Sequence, residues 1–470
     1  MPYAVIENLA SGVDRSRPRY VFQPGAMWSG INGHVNRGGD FEKRKAFVSK
    51  YNLPAGTFGM ARTTAGLYVF GSAATPSGIP AGVTYQRLQH PTAPGAVMTR
   101  LYSWDLYDGK IYAIAGYDNG DVRHFYDTAA VTEMGAGGTK PPGWGTLVMT
   151  HGRKVHAPIN SIDYFSKIDT AVTFDTASGA GFQNMNTAQG GSETITAMSK
   201  YQDKMVFFSR TMAQVWSMPD DPANNASVTI LGDTGTKSPR AARPFGDLDT
   251  FYLSDAGIRS LRARNYTNTA GVNDVGTPID PAVLEWMDAQ AAGVVEAACA
   301  ITDPRDGRFW LVIGERVFVF SYFPTKKISA WSWYEPGFTI GDLVSFGGRI
   351  YARSGDVIYL YGGDSNAVYG NDYDVTVALP FMTVSKDATF KQWRGMDVAT
   401  TGDWECSLLV NPNDENDVVQ VGTLGGVTFP EETIAAVGHA THIAPVLVHR
   451  GAGYASLSKI ALEYEGAEAK

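Results

Sequence analysis

The sequence predicts an all-β chain in which a β-propeller is joined to a second antiparallel β domain. Three observations support this: short hairpins recur at similar spacing, turn-forming residues are abundant, and aromatic residues are frequent. The 470 residues include 52 Gly and 24 Pro, and 12% are aromatic. Glycine and proline favour turns, whereas aromatic side chains favour strands. A chain of this length also has room for more than one domain.

The recurring unit is an aromatic or aliphatic strand, a tight polar turn and a second alternating strand. Clear copies lie at residues 108–125, 202–216, 246–261, 306–320 and 347–361, and weaker ones begin near residues 66 and 155. The mean step is roughly 47 residues, close to the ~40–50 residues of a four-stranded propeller blade. Stacked blades bury an apolar face that one hairpin cannot. We therefore expect a β-propeller over residues 56–370, with a large β-sandwich as the alternative.

The two ends of the chain do not follow this repeat. Residues 1–55 predict an extended arm that completes the platform domain. After residue 370 the strands become longer, which predicts an antiparallel β-sandwich platform over residues 371–470. One helix is predicted on the outside of a blade, with Asp280 as its N-cap and Pro281 at its first position.

Composition narrows the possible functions. The formal net charge is -8 and the pI is 5.5, which argues against a broad basic surface for nucleic acid. Two cysteines do not make a disulfide framework. No apolar run is long enough for a signal peptide or a membrane span, so the sequence predicts synthesis in a cytoplasm.

Motifs of catalysis are missing from the sequence. It has no Walker A sequence, no Gly-x-Ser-x-Gly and no His-Glu-x-x-His, so we expect no enzymatic activity and no cofactor. Three histidines cluster at His439, His442 and His449. The first two are three positions apart in a strand-like run and point to opposite faces, so we expect no metal site.

Two basic patches in the arm are candidate docking sites for an adaptor or a neighbouring protein. Their members are Arg15, Arg17, Arg19, Arg37, Lys43, Arg44 and Lys45. Asp40 and Glu42 interrupt the second patch, which favours a solvated strand face. The other interpretation is an electrostatic dock for an acidic neighbour or for passing phosphates.

Two long loops rich in proline, glycine or asparagine, at residues 135–145 and 218–243, are candidate gate or channel loops. Loops of more than ~12 residues are often functional or mobile, and binding residues are concentrated on loops. The candidate residues are Lys140, Trp144, Asn224, Asn225, Lys237 and Arg240.

Several stretches resemble one protein family. Residues 28–33, followed by residues 38–45 with a Lys-Arg pair after a glycine-rich turn, resemble the N-terminal segment of tail nozzle proteins (tail tubular protein B) of short-tailed bacteriophages. Residues 238–242 and 251–261 are similar to another stretch of those proteins. The helix after Asp280 and the hairpin after Asp306 resemble the related packaged-DNA stabilisation hub proteins.

The resemblance implies a structural virion protein. Such a subunit forms a hexameric ring below the portal and adaptor and above tail fibre or needle proteins. The ring conducts and retains packaged double-stranded DNA without sequence-specific binding. An acidic surface suits such a passage, because a cationic wall would hold the duplex through counterion release. The alternatives are a carbohydrate-binding or glycan-cleaving β-propeller and an intracellular interaction scaffold.

Overall fold

Strands, most of them antiparallel, are the main secondary structure of the chain and helices are few, which confirms the predicted all-β class. The computed structural model describes residues 2–21, 23–126, 132–133, 141–176, 179–188, 193–247, 249–262, 274–384, 389–429 and 434–466. The α-helices among these residues are α1 (Asp280–Asp288) and α2 (Ala292–Glu296). Short 3-10 helices lie at Met185–Ala188, Pro222–Asn224 and Pro324–Lys326.

Seven short strands precede residue 55. They are β1 (Tyr3–Ile6), β2 (Gly12–Val13), β3 (Ala26–Met27), β4 (Ser29–Ile31), β5 (Gly33–Val35), β6 (Phe41–Lys43) and β7 (Phe47–Asn52). The strands β1 to β6 belong to the large sheet that contains the platform, whereas β7 pairs with a strand near residue 360.

Seven sheets then follow one another along the chain. The first three contain β8 (Phe58–Arg62), β9 (Leu67–Gly71) and β10 (Val83–Arg87); β11 (Met98–Tyr107), β12 (Lys110–Tyr117), β13 (Val122–Tyr126) and β14 (Thr132–Glu133); and β15 (Met149–His151), β16 (Lys154–His156), β17 (Ile162–Phe165) and β18 (Gly181–Asn184).

The fourth and fifth sheets contain β19 (Ala197–Tyr201), β20 (Lys204–Phe208), β21 (Ala213–Ser217) and β22 (Ala226–Leu231); and β23 (Arg243–Phe245), β24 (Asp249–Ser254) and β25 (Gly257–Ser260). The sixth contains β26 (Cys299–Thr302), β27 (Phe309–Ile313), β28 (Arg316–Phe323) and β29 (Ile328–Tyr334). The seventh contains β30 (Asp342–Phe346), β31 (Arg349–Ser354), β32 (Val357–Tyr361) and, as its fourth strand, β7.

These sheets form a closed ring, which we call the seven-sheet ring. The first strand of each sheet contacts the first strand of the next, and β30 of the last sheet contacts β8 of the first. Each pair of neighbouring sheets encloses buried apolar side chains. Between the sixth and seventh sheets, for example, Trp310 meets Tyr361 edge to face at 4.8 Å. This is the topology of a seven-bladed propeller.

Local turn chemistry explains why the units are hairpins. Asp108 and Gly109 connect β11 to β12 with φ angles of 48° and 73°. Positive φ at both central positions is the geometry of a two-residue hairpin turn, and Asp-Gly favours it.

The platform contains the remaining strands. They are β33 (Val375–Ala378), β34 (Lys391–Leu409), β35 (Val418–Val427), β36 (Ile434–Ala440), β37 (Ala444–His449) and β38 (Ser456–Gly466). The long strand β34 pairs along its length with β35, β36, β37 and β38. The platform is thus antiparallel, with β34 at its centre.

The seven-sheet ring and the platform are joined through the arm. The strand β4 pairs with β29 of the sixth sheet and with β33 of the platform, and Ile31 takes part in both pairings. One buried apolar cluster extends from Phe309 and Trp331 to Trp404 and Leu462. We call this region, where arm, sixth sheet and platform meet, the junction.

The helix α1 packs against β25, the outer strand of the fifth sheet, which is the outside of a blade as predicted. Its N-cap is Ile279, so the predicted cap at Asp280 is wrong. The carboxylate of Asp280 instead accepts hydrogen bonds from Arg259 Nη1 at 2.5 Å and from the backbone N–H of Ile258 at 2.9 Å. Since an ion pair with Arg259 satisfies it, Asp280 is not free to cap the helix.

Candidate functional site

Two of the predicted docking residues, Lys43 and Arg44, are buried at the junction. Arg44 Nε donates to Asn32 Oδ1 at 2.8 Å, and Arg44 Nη2 donates to the carbonyl of Glu335 at 3.2 Å. Its guanidinium also lies 3.6 Å from the ring centre of Tyr373, within cation–π range. Burial lowers the pKa of this guanidinium. Arg44 therefore holds the junction together and does not dock an outside protein.

Lys43 has the same kind of environment. Its Nζ donates to the carbonyls of Gly370 and Gly451, each at 2.7 Å, and burial lowers its pKa. The prediction that Lys43 and Arg44 form an exposed dock is wrong, because a side chain enclosed by the chain's own carbonyls cannot reach another protein.

The other arm cations differ in exposure. The guanidinium of Arg15 lies 4.0 Å from the ring centre of Trp28 and 3.6 Å from Glu285. Arg19 forms an ion pair with Glu415. Arg17 and Arg37 are exposed, and Lys45 is half-buried. The structure thus leaves Arg17 and Arg37 accessible to a partner.

The candidate gate residues do not lie in one place. Lys140 lies outside the described residues. Trp144 is half-buried, and its ring centre lies 4.9 Å from that of His124. Asn224 and Asn225 lie at the outer strand of the fourth sheet, just before β22. The prediction that residues 218–243 form one open loop is therefore wrong, because this segment contains a 3-10 helix and β22.

Lys237 and Arg240 lie instead at the mouth of a channel along the axis of the seven-sheet ring. This mouth encloses about 620 Å³. Below it, the channel narrows to a cavity of about 70 Å³. All seven sheets contribute to its wall, including Met60, Trp104 and Met198.

The channel contains a small network of charges. Arg240 Nη1 donates to Asp342 Oδ1 at 2.5 Å, and Arg240 Nη2 donates to the carbonyl of Ala297 at 3.0 Å. Arg353 Nη1 lies 3.6 Å from Asp342 Oδ2, and Arg353 Nη2 donates to the carbonyl of Thr57 at 2.5 Å. Burial alone would lower the pKa of Arg240, but Asp342 raises it above its ordinary value.

Sequence analysis missed most of this network. Asp342 and Arg353 are cross-strand neighbours on β30 and β31, whereas Arg240 reaches Asp342 only when the ring closes. Their shared signal is a charged residue near an inner strand, and that signal is no stronger than the background of 86 charged residues, 39 basic and 47 acidic.

The outer face of the platform carries a groove of about 680 Å³, lined by apolar side chains and by the charged residues Asp397, Lys459 and Glu463. Its wall includes Tyr3, Val5 and Phe429, whose exposed fractions are 50%, 45% and 46%. The strand β1 that carries Tyr3 and Val5 pairs with β38 alone among the described strands. Its other edge is therefore open to a further strand. We call this face the platform groove.

Comparison with known proteins gives no family. No family model matches the sequence, and no curated protein matches it. Among solved structures, the extracellular domain of the putative one component system BT4673 from B. thetaiotaomicron shares 11% identity at a TM-score of 0.37. The match covers 68% of this chain and 46% of that one, so this chain spans less than half the length of that protein.

Two further structures match at similar levels. Kluyveromyces lactis Hsv2 shares 9% identity at a TM-score of 0.32, covering 63% of this chain and all of that one. The AfRom2 CNH domain shares 11% identity at a TM-score of 0.34, covering 59% of this chain and 90% of that one. At these TM-scores the likenesses carry no argument about function.

The described residues lack two kinds of feature. No helix there is long and apolar enough to cross a membrane. No group of three or more His, Cys, Asp or Glu residues there is placed to hold a metal ion.

Proposed function

We propose that this chain is a structural subunit of a tail nozzle or hub, in which six copies surround a shared passage for double-stranded DNA. The platform groove is the observation that carries the proposal. It combines exposed apolar side chains with an open strand edge, and such surfaces commonly mark contacts between proteins. The occupant that we propose for it is the platform of the neighbouring copy.

The shape of the seven-sheet ring supports a passage between copies. A cavity of about 70 Å³ cannot admit a duplex, whose major groove alone is about 12 Å wide. DNA would therefore have to pass outside each ring, along the axis shared by the copies. The acidic net charge of -8 suits such a passage, because it would not retain the duplex by releasing counterions.

The proposed assembly has neighbours above and below. The portal and adaptor would bind one face, where Arg17 and Arg37 are the predicted docking residues that remain accessible. Fibre or needle proteins would bind the opposite face, and the location would be the virion. Asn224 and Asn225 at the outer strand remain candidates for the gate, whereas Lys237 and Arg240 line the ring's own channel and would not reach a shared passage.

The test is assembly on a matching adaptor–portal complex, imaged by negative-stain electron microscopy. Phe429→Glu should abolish sixfold rings, because it places a charge in the platform groove. The control is Phe182→Glu, a change of equal chemistry at a side chain that is 57% exposed on the third sheet. Rings formed equally well by Phe429→Glu would contradict the assigned contact.

The carbohydrate alternative is separated by a glycan array and an assay for released reducing sugar. Binding or cleavage of glycans by the full chain, together with no ring on the adaptor, would overturn the structural proposal.

A further inference from the structure

Arg243, the first residue of β23, projects a cation into the channel of the seven-sheet ring. It lines the cavity of about 70 Å³, and its side chain makes no hydrogen bond or ion pair with any described residue. Its side chain is reached by solvent, yet the surrounding protein lowers its pKa by burial. Both observations fit a guanidinium in a narrow, water-filled channel.

The charges around Arg243 leave a positive excess. Asp342 is shared by Arg240 and Arg353. Asp105 is not part of the cavity lining, but its charge raises the pKa of Arg243. Among the described residues that line the cavity, the guanidinium groups of Arg240 and Arg243 face one carboxylate, that of Asp342, which leaves one positive charge unbalanced there.

Asp105 is largely engaged elsewhere. Its Oδ1 accepts from the backbone N–H of Leu106 at 2.8 Å, and its Oδ2 accepts from the backbone N–H of Thr150 at 2.7 Å. Arg240 is also close enough that its charge lowers the pKa of Arg243. An anion between them would relieve this repulsion and give Arg243 an acceptor.

The apolar side chains in the cavity wall strengthen the attraction between the Arg243 guanidinium and an anion. Leu101, Val148 and Met149 line the same cavity, and apolar walls lower the effective dielectric constant, which strengthens charge interactions. A water molecule needs roughly 10–15 Å³ on this measure, so the cavity holds about five waters or one small ion. Larger ligands do not fit.

We propose that the channel binds one small oxyanion, of the inorganic phosphate or acetate type, on the guanidinium of Arg243. Guanidinium presents a planar fork of donors that matches two oxygens of a carboxylate or phosphate. The guanidinium groups of Arg240 and Arg243 and the confined apolar wall make a site for a single ion. This inference does not depend on the proposed ring of subunits, because the site lies within one chain.

The test is isothermal titration calorimetry on the full chain, with sodium phosphate and sodium acetate as probes at constant ionic strength in a chloride-free buffer. The wild type should bind at least one probe saturably, with one ion per chain. Arg243→Gln should weaken that binding at least tenfold. Arg243→Lys should lie between them, because it keeps the charge but loses the fork.

The matched control is Arg17→Gln, which removes the same charge from an exposed position and should leave anion binding unchanged. Thermal unfolding by circular dichroism checks that each variant is folded. Equal affinity in the wild type and a folded Arg243→Gln would overturn the proposal. So would the lack of saturable binding of both probes by the wild type.

Discussion

Arg44 at the junction is buried, whereas Arg243 in the channel is exposed to solvent, and the two side chains differ in how many acceptors reach them. Arg44 donates to three oxygens and lies against the Tyr373 ring. Arg243 has no such partner among the described residues. The difference teaches that a buried cation whose acceptors are complete is structural, whereas a solvent-exposed cation in the channel that lacks them is open to a ligand.

The largest effect is expected at Arg44. Arg44→Met should lower the free energy of unfolding by about 3 kcal/mol, because Asn32 Oδ1 and the Glu335 carbonyl lose a charged donor. Urea unfolding followed by fluorescence measures this. Arg17→Met is the control at an exposed site and should change stability by less than about 0.5 kcal/mol. A loss no greater than the control's would show that Arg44 does not hold the junction.

A smaller effect is expected on acidification. Burial lowers the pKa of His34 at the junction to about 4, and burial likewise lowers the pKa of His124 in the second sheet to about 4. The unfolded imidazole, with a pKa of about 6.5, takes up a proton first, so stability falls as the pH falls from about 6.5 to 4. Each histidine should lower the free energy of unfolding by about 2 kcal/mol when the pH falls from 7 to 5.

The same experiment separates the two regions. His34→Gln should remove the part of the loss of unfolding free energy at low pH that comes from the junction. His124→Gln should remove the part that comes from the seven-sheet ring. Urea unfolding at pH 7 and pH 5 gives both shares. A pH dependence unchanged in both variants would mean that neither imidazole is held neutral.

The smallest effect is expected at Arg243. In a buffer free of small oxyanions, Arg243→Met should change the free energy of unfolding by less than about 0.5 kcal/mol, because the Arg243 side chain is exposed to solvent and has no hydrogen bond or ion pair with a described residue. Thermal unfolding of this variant beside Arg44→Met compares the channel with the junction directly. A large destabilisation would indicate an intramolecular partner and would remove the contrast between the two regions.

Sequence reasoning succeeded where the signal is local. The hairpin at residues 108–125 was predicted from its residue types, and its strands β12 and β13 pair antiparallel as expected. The helix after Asp280 was also predicted, because Pro281 at its start and the spacing of its apolar residues are features of a short stretch of sequence. Both features depend on neighbours along the chain.

The same reasoning failed where partners are distant. The strand Phe47–Asn52 was assigned to the arm, but it pairs with β32, about 300 residues later. Lys43 and Arg44 were predicted to belong to a basic docking patch, because the neighbouring residues in the sequence do not show which groups surround a side chain in the folded protein. The number of sheets could not be predicted either, because the repeats are irregular and the fourth strand of the seventh sheet, β7, comes from near the start of the chain.

The pairing of β7 with β32 has a consequence for synthesis on the ribosome. About 300 residues separate the two strands, and at ~5–20 residues per second the ribosome needs about 15–60 s to make them. During that interval β7 has no partner strand, and the seven-sheet ring cannot close. Nascent chains with such a long-lived bare edge are prone to aggregate, so a holdase that covers residues 47–52 would increase the yield of native molecules more than one acting after release.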